Sequence, residues 1–221
     1  MNFFLISVLL LLPVHCTAAV EMTPEQKKWF YNDEIISTDK INEGDLTFLL
    51  QSPEKPVLHS INTLIINTQS ITSGWVALEQ CYKHLDPVPT TEIVYQYKHI
   101  RNFKISSKRN IKMAVIKGQS IQLDNVMKQA ELCIKADVKI LNTNTDNTLS
   151  LENGPFHRKF LDGYYPYHVS LKINYPSTLL KLIKINPEPQ PGFNIKQSDS
   201  KIFIESYFEG ILTTKLVFQR R

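Results

Sequence analysis

The densest group of side chains able to do chemistry together lies at 153–168. It reads Asn153-Gly154-Pro155-Phe156-His157-Arg158-Lys159-Phe160-Leu161-Asp162-Gly163-Tyr164-Tyr165-Pro166-Tyr167-His168. Gly154-Pro155 and Asp162-Gly163 are turn pairs, so the stretch is expected as a loop, and loops held by a rigid sheet are where function concentrates. Three readings compete for it. As a binding surface, Tyr164, Tyr165 and Tyr167 offer apolar faces with polar tips, while Arg158 and its neighbour Lys159 suit anionic groups. As a catalytic site, His157 or His168 with Asp162 would form a base and its orienting carboxylate. As a plain crossover, the tyrosines pack the underside of the loop and Arg158 pairs with Asp162. No catalytic residue is assigned; the candidate binding residues are His157, Arg158, Asp162, Tyr164, Tyr165, Tyr167 and His168.

A second constellation is Cys81, His84 and Cys133, soft ligands that would suit copper or zinc. A closed zinc site needs four ligands, and no Cys-x-x-Cys pair is present, so no metal ligand is assigned. The simpler expectation is a disulfide between Cys81 and Cys133. No cofactor is expected, since there is no glycine-rich phosphate loop, no G-x-S-x-G elbow and no H-E-x-x-H.

The elements that must carry these residues are mostly strands. Residues 168–175 alternate, with Val169, Leu171, Ile173 and Tyr175 on one face, as in a half-buried strand. Residues 91–105, 201–208 and 211–218 are further β runs, and Glu209-Gly210 between the last two is a hairpin signal. Pro187, Pro189 and Pro191 predict a stiff link across one end of a sandwich. Thr23-Pro24-Glu25-Gln26 is a capping box that opens a short helix to about Asn32, with Trp29 and Phe30 docking on the body. Asn42-Glu43-Gly44-Asp45 is turn chemistry, and Leu46 to Leu50 begins the β material. Two stretches fit either a helix or a strand: 75–85 and 126–140.

These two stretches resemble each other. Leu64-Ile65-Ile66-Asn67-Thr68-Gln69-Ser70-Ile71 aligns with Ala114-Val115-Ile116-Lys117-Gly118-Gln119-Ser120-Ile121, and each is followed by a segment with Ala and Glu before a cysteine. Either the chain holds two similar β units, over 60–110 and 111–150, or two amphipathic runs coincide by chance.

At the amino terminus, Phe3 to Leu12 is an apolar run about half as long as a membrane-spanning helix. Pro13 ends it, and Thr17-Ala18-Ala19 forms a small-residue cleavage site, so residues 1–19 read as a signal peptide cut after Ala19. Pro13-Val14-His15 before Cys16 does not resemble a lipidation signal. Cleavage leaves Cys81 and Cys133 as an even pair in an oxidising compartment, the setting in which disulfides persist. Residues 20–44 are then a helix and linker, and 45–221 the body. No second long apolar run follows, so no transmembrane span is expected after cleavage. A net charge of +4 with 43% hydrophobic and 21% charged residues fits a globular protein and falls short of a nucleic-acid binder.

Residues 154–166 resemble a motif of uncharacterised exported proteobacterial proteins, as do Gly74-Trp75-Val76 through Cys81 and Gln119-Ser120-Ile121 through Cys133. The resemblance carries no activity and no site residue; it implies a bacterial envelope setting, periplasmic or secreted. The alternating runs lead to the expectation of an antiparallel β-sandwich with a short N-terminal helix. Its expected role is non-catalytic binding or envelope assembly with a protein or envelope component as partner. The alternatives are a hydrolase acting on an envelope polymer through Asp162 and a His, and a copper or zinc carrier.

Overall fold

The computed structural model describes residues 22–30, 42–160 and 163–221. The cleavage site after Ala19, Cys16, the helix end at Asn32, the docking of Trp29 and Phe30, and Asp162 lie outside the described residues. Helix α1 (Pro24–Phe30) starts on the expected capping box: Thr23 N donates to Gln26 Oε1 at 2.8 Å and Gln26 N to Thr23 Oγ1 at 3.2 Å. At 42–45, Gly44 N donates to the Asn42 side chain at 2.7 Å, which closes the expected turn.

The rest is almost all strand: β1 (Thr47–Phe48), β2 (His59–Ile65), β3 (Trp75–Leu85), β4 (Thr90–Val94), β5 (Ile100–Lys117), β6 (Ser120–Lys139), β7 (Leu141–Thr143), β8 (Leu149–Phe156), β9 (Lys159–Phe160), β10 (Gly163–Tyr164), β11 (Tyr167–Asn174), β12 (Leu180–Asn186), β13 (Phe193–Ser198), β14 (Lys201–Glu209) and β15 (Leu212–Arg220). The large sheet runs β1-β14-β11-β2-β3-β6-β4, with β13 also on β14 and β5 also on β6; the small one runs β12-β15-β8-β7. Leu64, Leu78, Ile121 and Leu132 from the large sheet meet Leu149, Leu151, Leu216 and Phe218 from the small one in one hydrophobic cluster. This is the β-sandwich expected from the alternating runs, each sheet burying one face against the other.

The ambiguous stretches are strands. In β3, Val76, Leu78, Gln80 and Tyr82 are buried and alternate with more exposed residues, a period of two that no helix face produces. Pairing in the large sheet is antiparallel except for β2 and β11, which run parallel. That places β11 centrally, so His168 and Ser170 on its polar face are buried as well, where the alternation pointed to a half-exposed strand.

The Glu209-Gly210 hairpin does not form. β14 pairs within the large sheet and β15 within the small one, so the link carries the chain between layers. Gly210 has φ +85°, and a Cβ there would lie 2.1 Å from the Asp45 carbonyl oxygen. The glycine therefore serves a sharp corner packed on another backbone, and not a two-residue ladder end. The proline link from β12 to β13 makes a second crossing between layers, as expected. The 91–105 run is broken after β4 and resumes as β5. Of the aligned segments, 64–71 closes β2 and winds into helix α2 (Thr68–Ser73), capped by Asn67 and Gly74, whereas 114–121 is the hairpin between β5 and β6. The two cysteine segments lie side by side in β3 and β6.

Candidate functional site

Strand geometry divides the 153–168 stretch. Successive residues of a strand point to opposite faces. Tyr167 enters the core against Phe208, ring centroids 5.8 Å apart. His168 emerges on the other face of the large sheet. Upstream, Gly154 has φ +119° and its Cβ would lie 2.7 Å from the Leu212 carbonyl oxygen, so only glycine fits. This tight passage lies beside β15, and the chain leaves the small sheet after Phe156.

Residues 155–160 form one wall of a cleft of about 430 Å³, whose opposite wall is 90–97. Tyr82, Tyr95 and Tyr167 make its floor. Burial pushes all three hydroxyls up, Tyr82 and Tyr167 most completely enclosed, so they stay neutral at physiological pH. Tyr97 is enclosed at its hydroxyl end, which donates to Asn153 Oδ1 at 3.0 Å, and burial raises its pKa too.

Arg158 stands at the mouth. Its guanidinium donates to Asp86 through Nη2 at 2.7 Å and Nε at 3.1 Å, a two-pronged pair with side chains 14% and 20% exposed. It also lies 5.1 Å from the Phe160 ring centroid and 5.6 Å from that of Tyr165. Arg158 is thus committed to holding the segment in place. Its partner is Asp86, distant in sequence and set on the stiff Asp86-Pro87-Val88-Pro89 link, where nothing local in the sequence marks it as a partner. Lys159 Nζ sits 5.3 Å over Tyr164, and His157 meets the same ring edge-on at 5.9 Å. Burial, then the charge of Lys159, lowers the His157 pKa. Among the described residues its buried Nδ1 has no hydrogen-bond partner, nor has Oε1 of Gln80, another cleft-lining residue.

His168 belongs to a different arrangement. It stacks between His59 and Tyr207, at 3.6 Å and 3.9 Å between ring centroids. His168 Nε2 lies 3.1 Å from Glu205, and His59 Nε2 lies 2.8 Å from Ser170 Oγ. Burial first, then the charges of His168, Lys83 and His84, lower the His59 pKa to about 4. Burial also lowers that of His168, with Glu205 opposing. His59 and Tyr207 reach this row only through the register of β2, β11 and β14. Nothing local in the sequence marks them.

Cys81 and Cys133 are directly opposed in β3 and β6, Cα atoms 4.1 Å apart, and form the expected disulfide. The bond consumes both thiolates of the proposed Cys81, His84 and Cys133 metal set, which overturns that set. His84 stands at the bulge of β3 with φ 55°.

No family model matches this chain, and no characterised protein matches it in sequence. Among solved structures, an M1 zinc metallopeptidase from Deinococcus radiodurans bound to a Tyr-Ser-Ala substrate overlays with a TM-score of 0.40 and 7% identity, over 80% of this chain and 43% of that one. This chain therefore spans less than half the length of that protein, and so distant a likeness carries no argument.

Proposed function

We propose that this protein is exported to a bacterial envelope compartment, loses residues 1–19, and acts there as a non-catalytic binding or assembly protein whose partner occupies the cleft between 90–97 and 154–160. The observation that carries the reading is the state of the groups in that cleft. Arg158 and Asp86 satisfy each other, the tyrosine hydroxyls are held neutral, and the His157 pKa is lowered. Such a lining offers rings and a few hydrogen-bonding atoms for contact, the usual make-up of a binding pocket. The disulfide fits an oxidising compartment.

The test is a photo-reactive benzoylphenylalanine in place of exposed Lys159, introduced in cells exporting the protein. One discrete adduct is expected, absent when the same group replaces exposed Lys196 on β13. Equal labelling at both positions, or turnover of peptidoglycan, glycan or ester substrates by the purified protein, overturns the reading.

A further inference from the structure

β3 and β4 run in one direction along the same side of β6, separated only by the Pro87 and Pro89 link. β2 covers the outer edge of β3 but stops at His59, opposite Lys83. Upstream of β2 the chain carries Pro53 and Pro56, which lack the N–H needed to continue a ladder. Among the described residues, β4 therefore pairs with β6 alone.

The free groups can be identified. Tyr95 N donates to Gln119 O, and Asn125 N to Pro89 O. In an antiparallel ladder this makes residues 89, 91, 93 and 95 the ones bonded to β6. Thr90, Glu92 and Val94 consequently turn their N–H and C=O outward, along the wall of the cleft. Edges are commonly guarded by charge, above all by lysine. β5, on the other side of β6, carries Arg101, Lys104, Lys108, Arg109, Lys112 and Lys117. β4 reads Thr-Thr-Glu-Ile-Val, with Val94 60% exposed. Among the described residues its edge is left open, beside a floor of tyrosines and the unpartnered Oε1 of Gln80.

We propose that the free edge of β4 takes an extended peptide segment of a partner protein as an added strand, in the position β2 would fill if it continued. A row of alternating donors and acceptors is matched by an extended backbone and by little else. Alternate side chains of the segment would point over Tyr82, Tyr95 and Tyr167, so it carries apolar residues at every second position. This inference rests on the cleft being the binding site and adds the class of ligand and its mode of attachment.

The experiment uses the mature, disulfide-bonded protein and a display library of short random peptides. An enriched peptide, made synthetically, is expected to slow exchange of the Thr90, Glu92 and Val94 amides. Glu92→Pro removes one outward N–H and no bond to β6; it should weaken that peptide about tenfold or more at unchanged melting temperature. Glu92→Gln, which keeps the N–H and removes the charge, should bind as the parent does. Should Glu92→Pro unfold, N-methylation of the peptide at alternate residues removes the same bonds from the other partner, with the same loss expected. A peptide that binds without protecting these amides overturns strand addition and leaves the cleft reading standing. Failure to enrich any peptide overturns strand addition, as does concentration-dependent protection of the same amides by self-association. In both cases the cross-link at Lys159 judges the cleft separately.

Discussion

Arg158 and Asp86 hold two walls of the cleft together from distant parts of the chain. Arg158→Ala leaves a mostly buried carboxylate without its partner, which should cost about 2–3 kcal/mol in a urea titration. Arg158→Lys should restore little, since an ammonium cannot bond both oxygens from one planar fork. The double variant with Asp86→Ala should lose clearly less than the sum of the two single losses. His59 makes a separate prediction. Its pKa is about 4 in the fold against 6.5 for a free imidazole, so the unfolded chain binds more protons between those values. Stability is full above about pH 6.5 and falls as the pH drops toward 4. Melting temperature measured across that window should decline less steeply in His59→Gln. The opposite slope would mean that the ring is protonated in the stack.

At the scale of elements, the disulfide ties β3 to β6 across 52 residues of sequence. Loop-closure entropy values such a link at about 4 kcal/mol, less whatever the paired strands already constrain in the unfolded chain. Cys81→Ala with Cys133→Ala should lower the denaturation midpoint while keeping the β-rich circular dichroism of the parent, because the ladder between the strands is independent of the bond. Gly210→Ala tests the corner between layers. The added methyl would collide with the Asp45 carbonyl in a left-handed conformation, so a loss of about 2 kcal/mol or more is expected. Were Glu209-Gly210 a hairpin turn, the loss would be milder. The local signals were the same for both arrangements: a glycine between two alternating runs. What decided between them was which neighbours each strand found, information held in β11 and β8 and not in the turn.

Across the whole molecule, the alternating apolar runs, the capping box at Thr23 and Gln26, the proline link and the cysteine pair were legible along the chain, because each depends on residues close in sequence or on a single chemical pairing. A mainly β sandwich with a short first helix follows from them. Helix α2 left no periodic signal in the sequence, because Asn67 and Ser70 cap a helix too short to show one. The candidate site was legible only in part. His157, Arg158 and Lys159 border the cleft and Tyr167 is buried in its floor, but His168 lies on the other face of the sheet, since strand alternation separates neighbours in sequence. Asp86, His59, Tyr207 and the open edge of β4 were decided by tertiary structure alone. Strand order and register bring them together, and both are set by non-local burial that no short window of sequence contains.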